Sequence, residues 1–286
     1  MTSQMESLVA EELAQPVDTR VAAIAAAVAA RHGSASRTVL FYGSCLRQRE
    51  LDGLMLDFYL IVSDYRAAYD KRWLARANAL IPPNVFPFQH DGLAAKYALL
   101  SEADFHRLNG PETRNVSVWA RFAQPAWLVW AADDAARSAA VAAVARAAPT
   151  LLGAAGRVAG EAPLDWWRRA FSLTYSAELR AERKGRSGSV VDADAERYAL
   201  FSSPAAAAID ATASGGWGRR RLEGKMLSVV RLAKASATYA GGADYIVWKI
   251  NRHAGTDFAL KPWQRRHPLL AAISLLPRLL KSGAIR

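Results

Sequence analysis

Cysteine is nearly absent. Across 286 residues there is one, Cys45, which excludes an intramolecular disulfide framework and a cysteine-based zinc site and favours a reducing compartment. Long apolar runs are missing too: no uncharged stretch approaches the about 18 residues that a membrane-spanning helix needs. The first residues carry Glu6, Glu11, Glu12 and Asp18 and lack both a signal-peptide core and an Arg-rich transit character, so the protein is expected to work where it is made. The 5 histidines include none whose setting marks it as a catalytic base. Acidic residues are outnumbered, 26 against 37 lysines and arginines, and the net charge is +11. That excess predicts attraction to an anionic surface, nucleic acid or acidic lipid, without choosing between them.

What is present is a globular composition, 52% hydrophobic and 22% charged, on a chain long enough to bury a real core. The informative stretch is Val39-Leu40-Phe41-Tyr42-Gly43-Ser44, a charged connector through Arg47–Gly53, and then Met55-Leu56-Asp57-Phe58-Tyr59-Leu60-Ile61-Val62. Both apolar runs read as short buried strands, rich in β-branched and aromatic residues. Glycine lets the backbone turn sharply and approach a ligand closely, and N–H groups with a serine hydroxyl can hold a phosphate. A second strand then sets Asp57 beside that turn, and a hard oxygen ligand next to a phosphate cradle suits a Mg²⁺–nucleotide site. The equally available structural reading is an ordinary β-turn followed by a capping aspartate.

Residues 1–19 read as a polar lead-in and Val21–Arg31 as an alanine-rich helix. A helix over Asp64–Leu80 is predicted to stop at Pro82-Pro83. Val85–Phe88 and Leu93–Leu100 form a strand pair around the Asp91-Gly92 hairpin signal, which carries Lys96 toward the sheet edge that holds Asp57. Another alanine-rich helix, Asp133–Ala148, is expected to end at Pro149. Beyond it the pattern turns helical, over Leu164–Arg183, Ala193–Phe201 and Leu222–Thr238. The fold class expected is α/β (α+β): a nucleotidyltransferase-like mixed-sheet domain over 1–135, a mainly helical domain over 136–243, and a basic, apolar C-terminal segment over 244–286. In that last segment Leu269, Ile273, Leu276 and Leu280 recur at helical spacing beside Arg278 and Lys281, the mixture of an in-plane membrane-surface helix. Docking on the protein's own core explains the same spacing.

Several short motifs in one order resemble the mitochondrial-like phosphatidate cytidylyltransferases of the nucleotidyltransferase superfamily. They are Tyr42-Gly43-Ser44 with Gln48, Met55-Leu56-Asp57-Phe58, Leu93-Ala94-Ala95-Lys96-Tyr97, Trp119-Ala120-Arg121-Phe122-Ala123-Gln124-Pro125, Thr174-Tyr175-Ser176-Ala177-Glu178-Leu179-Arg180, and Ala233-Lys234-Ala235. Together they cover about residues 38–255. The departures are Cys45 where the family has glycine, Tyr59 where the superfamily has a second acid, Glu178 where aspartate is usual, and Ala235 after the lysine.

The resemblance implies Mg²⁺-dependent transfer of a cytidylyl group from CTP to phosphatidic acid, giving CDP-diacylglycerol and pyrophosphate. Tyr42, Gly43, Ser44 and Tyr97 would then hold the nucleotide. Asp57 would ligate Mg²⁺, with Glu178 or Asp52 as the second acid. Lys96, Arg121, Arg180 and Lys234 would neutralise phosphates, the arginines by direct contact because their fork matches phosphate oxygens. Partners expected are CTP and phosphatidic acid in an anionic membrane, with no nucleic acid and the oligomeric state left open. The location expected is cytoplasmic, peripheral on the inner face of the cell membrane. Two other readings stand beside it: a nucleotidyltransferase acting on a small molecule, RNA or protein, and a non-catalytic module that binds an anionic surface.

Overall fold

The computed structural model describes residues 3–47, 51, 53–178, 190–210, 215–238 and 261–263. Two helices come first, α1 (Gln4–Leu13) and α2 (Thr19–Ala30). The expected polar lead-in is therefore a helix. Ser3 Oγ accepts from the Glu6 N–H at 3.2 Å, and Glu6 Oε2 accepts from the Ser3 N–H at 2.8 Å. This reciprocal cap satisfies two amides that the first turn leaves unpaired. Met5, Val9 and Leu13 recur every four residues along one face, and all three are buried.

Strands β1 (Ser36–Tyr42) and β2 (Met55–Val62) pair antiparallel, with Tyr42 opposite Asp57. Two short helices, α3 (Tyr65–Ala68) and α4 (Arg72–Leu80), stand where one was expected, because Asp64 starts a separate turn and Tyr69 is extended. Strands β3 (Asn84–His90) and β4 (Leu93–Ser101) form the anticipated hairpin, with Asp91 and Gly92 both at positive φ (46° and 77°), as a type I′ turn requires. Helices α5 (Glu102–Asn109) and α6 (Trp119–Phe122) lead into β5 (Ala126–Ala131).

The rest is helical: α7 (Asp134–Ala145), α8 (Ala147–Ala155), α9 (Pro163–Ala177), α10 (Ala195–Ala207) and α11 (Trp217–Thr238). Pro149 does not end a helix but lies in the first turn of α8, where the missing N–H has no helical partner to lose. Helix α9 stops at Ala177, short of the expected Arg183, and Glu178 is extended (φ −112°, ψ 152°).

The sheet has the order β3-β4-β2-β1-β5, with β2 and β4 parallel and the other neighbours antiparallel. It is the mixed sheet of an α+β fold. Helices cover both faces, so side chains alternate between two apolar clusters along each strand. Leu56, Phe58, Leu60 and Val62 pack toward α2–α4. Tyr59 and Ile61 pack toward α1 and α5–α10. That second cluster runs without a break from Met5 through Ile61 to Ala205. The division anticipated near residue 135 thus falls at the start of α7 inside one continuous core. The anticipated C-terminal segment, apart from 261–263, lies outside the described residues.

Candidate functional site

Asp57 sits near the open end of β2, on the face that Tyr59 and Ile61 share. Across the sheet on one side is β1, which ends at Tyr42 and turns at Gly43 with φ +94°. A Cβ built on Gly43 would stand 3.3 Å from Asp57 Oδ2. Both the backbone conformation and the close approach therefore call for glycine. On the other side is β4, whose register places Lys96 directly opposite Asp57. Lys96 Nζ lies 2.9 Å from Asp57 Oδ1, with side-chain exposures of 24% and 20%. Asp57 Oδ1 is itself closed to solvent and meets no aligned hydrogen-bond donor, so the contact with Lys96 is an ion pair without a well-directed hydrogen bond. The glycine hook, the carboxylate and the lysine are thus assembled by strand register.

Arg121 reaches the same face from α6. Its Nη1 donates to the Ser117 carbonyl at 2.8 Å, and its guanidinium lies 5.6 Å from the centre of the Tyr42 ring. Burial works against its charge. Tyr59 and Tyr42, then the carboxylates of Glu178 and Asp57, outweigh burial and hold the group above its ordinary value. Arg121 therefore links the two acids that sequence reasoning put far apart in the chain.

Glu178 is brought in by the end of α9. Helix α11 crosses that end so tightly that a Cβ on Gly224 would lie 2.3 Å from the Ala177 carbonyl oxygen. Glycine inside a helix costs about 1 kcal/mol relative to alanine, and here it permits the close crossing that sets the residue after Ala177.

A further cation, Arg231 on α11, joins the group without having been singled out from sequence. Its Nη1 donates to Ser117 Oγ at 2.8 Å and its Nε to the Pro82 carbonyl at 2.9 Å. Ser117 thus accepts from Arg231 through its hydroxyl and from Arg121 through its carbonyl. Burial pushes the Arg231 pKa down; Tyr59 and Glu178 oppose this, while Arg121 adds to it as a like charge. The sequence signal available was the Arg231/Lys234 pair at i, i+3, which shares one side of a helix.

Lys234 takes a different part from the one expected. Its ammonium donates to the carbonyls of Ile81 and Pro83, the latter at 2.8 Å, and so ties α11 to the loop between α4 and β3. Burial, with Arg231 beside it, lowers its pKa to about 7. It contributes a titratable charge next to Arg231.

Tyr97 does not belong to the site. One residue along β4 from Lys96, it points to the opposite face, where its hydroxyl lies 3.0 Å from His32 Nε2. The period of two that brings Lys96 to Asp57 removes its neighbour. Ser44 is exposed at the start of a single 3-10 turn beyond Gly43. Cys45 is buried, with Sγ 3.5 Å from the Met55 carbonyl, and burial raises its pKa. Asp52 and Arg180 lie outside the described residues.

Lys96 and Arg121 thus stand by Asp57, Arg121 and Arg231 by Glu178, and Lys234 by Arg231. Such an excess of partly desolvated positive charge favours a bound polyanion. Among the described residues no three acids, histidines or cysteines converge as a self-sufficient metal cage. The Asp57 carboxylate, whose Oδ1 meets Lys96 without an aligned hydrogen bond, fits a hard cation of the kind that takes one or two carboxylates and draws further ligands from phosphate.

No protein-family model matches the chain, and no curated protein matches it. The likeness to the phosphatidate cytidylyltransferases therefore rests on the order of its short motifs.

Proposed function

We propose that the protein is a nucleotidyltransferase, and specifically a phosphatidate cytidylyltransferase acting at the inner face of the cell membrane. The observation that carries this reading is that Lys96 and Arg121 stand by Asp57, a carboxylate held against a glycine turn, with Arg231 joined to Arg121 through Ser117. The choice of CTP and phosphatidate follows from the motif resemblance.

Two polyanions must meet for the reaction. An oxygen of the phosphatidate monoester attacks the α-phosphorus of CTP, a new P–O–P link forms, and the α–β bridge breaks to release pyrophosphate. A phosphate monoester is largely ionised at neutral pH, so no strong general base is needed. Catalysis then consists of positioning and charge neutralisation. Gly43 gives the triphosphate access to the strand end. Asp57 and Glu178 are the carboxylates that would hold Mg²⁺, which neutralises phosphate charge and aligns the triphosphate. Lys96 keeps the Asp57 carboxylate oriented and is placed to move onto a phosphate. Arg121 and Arg231, set by a shared serine, offer forked donors to phosphate oxygens.

The test is incubation of the full chain with each nucleoside triphosphate, Mg²⁺ and phosphatidate vesicles, following pyrophosphate and the lipid product. CTP-dependent formation of CDP-diacylglycerol, lost in Asp57→Asn while the melting curve holds, is the expected result. Pyrophosphate release that Asp57→Asn leaves undiminished would remove Asp57 from the reaction. Transfer to soluble acceptors alone would move the protein elsewhere within the nucleotidyltransferases.

A further inference from the structure

Helix α11 buries Arg220 and exposes several apolar side chains. Arg220, only 6% exposed, donates to the Thr113 carbonyl at 3.1 Å, and Arg231 and Lys234 donate to backbone carbonyls of 81–83. The outward side of α11 carries Leu222, Met226 and Val230, which are 64%, 62% and 43% exposed. These recur every four residues and therefore form one stripe.

Helix α4, joined to α11 through the loop that follows it, exposes two more apolar side chains. Leu80, 81% exposed, directly precedes Ile81, whose carbonyl accepts from Lys234, and Trp73, 50% exposed, stands two turns back on the same side of α4. Exposed cations flank both helices, Arg221 and Lys225 on α11 and Arg72 and Arg76 on α4, while Arg219 pairs with Glu223 at 2.7 Å.

We propose that this stripe on α11, together with Leu80 and Trp73 on α4, is where the protein seats on an anionic lipid bilayer. The choice of a bilayer as occupant rests on two observations. The apolar side chains are bordered by lysine and arginine with an outward tryptophan, the composition that lies in the headgroup–acyl boundary. The same helix carries Arg231 into the cation cluster. A helix with its side chains is about 10 Å across, and an interfacial helix sinks its apolar side about 5–10 Å below the headgroups. Seating the outer stripe therefore leaves the inner side, with Arg231, at the level of lipid phosphates. This deepens the cytidylyl-transfer reading by naming the surface through which its lipid substrate is met, and it rests on that reading for the substrate's identity alone.

The experiment uses the full chain and Leu222→Asp/Met226→Asp, changes at two exposed positions, checked by thermal melting. Co-flotation is measured with phosphatidylcholine vesicles and with vesicles containing phosphatidylglycerol, an anionic lipid that is not the proposed substrate. Turnover is measured in parallel with a water-soluble, short-chain phosphatidate. The wild type is expected to float with anionic vesicles, and the double variant to lose about tenfold or more of that partitioning while its turnover of the soluble lipid is kept. Unchanged flotation of a folded double variant would overturn the surface whatever the enzyme assay shows. Loss of flotation with no turnover by either protein upholds the surface and rejects the reaction. A wild-type dimer that the double variant converts to monomer, with vesicle binding unaltered, would assign the stripe to a second copy of the chain and overturn the proposal.

Discussion

Gly43→Ala separates what the glycine turn does for the backbone from what it does for Asp57. A residue other than glycine at φ +94° is strained by about 1–3 kcal/mol. At about 2–4 °C per kcal/mol for a chain of this size, the melting temperature should fall by about 2–12 °C. The added methyl would also lie 3.3 Å from Asp57 Oδ2, close enough to push the carboxylate by a few tenths of an ångström. If a displacement of about 1 Å costs about a hundredfold in rate, this shift predicts a loss of about three- to tenfold in kcat. Gly92→Ala supplies the control. Gly92 also has a positive φ, +77°, but a Cβ there meets nothing within 4 Å. Both variants should melt early, and only Gly43→Ala should lose turnover in the pyrophosphate assay. Equal turnover in the two would refute the idea that the turn holds the carboxylate in its working position.

Arg231→Met removes a forked donor from the cation cluster. A hydrogen bond to a charged group is worth about 1.5–3 kcal/mol, so triphosphate affinity should weaken about ten- to hundredfold by calorimetry, and an unaltered affinity would exclude Arg231 from the anion site. Lys234, with a pKa near 7, carries its charge below that pH and loses it above. Nucleotide affinity should therefore decline as pH rises from 6 to 8, and Lys234→Arg, which stays charged, should flatten that profile. The same group makes a signed contribution to stability. Its folded pKa is below its ordinary 10.5, so between the two the unfolded chain holds the extra proton and this contribution rises with pH. A pH profile of affinity identical in Lys234→Arg and wild type would show that Lys234 does not set it. Gly224→Ala improves helix propensity by about 1 kcal/mol, yet forces a methyl to 2.3 Å from the Ala177 carbonyl oxygen. Overpacking of about 1–3 kcal/mol should prevail, lowering both melting temperature and turnover because Glu178 follows Ala177; a raised melting temperature would mean that the crossing has room to spare.

Strands β1, β2 and β4 could be read from sequence because a strand buried on both faces shows as a continuous apolar run, and Asp57 and Lys96 stand out as interruptions of such runs. The Asp91-Gly92 turn was legible for a related reason: few residue pairs accept two successive positive φ values. Helix α1 was hidden by its acidic residues, although Ser3, Glu6 and the spacing of Met5, Val9 and Leu13 already encode it. Pro149 misled because proline stops a helix only where an N–H is needed.

What local pattern specified here was the elements and the chemical kind of the site, a glycine turn, an acid and an excess of bases, since propensity and periodicity act over a few residues. Which of those bases share the acid's surroundings is a property of packing. Strand register put Lys96 against Asp57 and turned Tyr97 away. The crossing of α9 by α11 delivered Glu178 and Arg231 from segments more than fifty residues apart, and no periodicity in the chain carries distances of that kind.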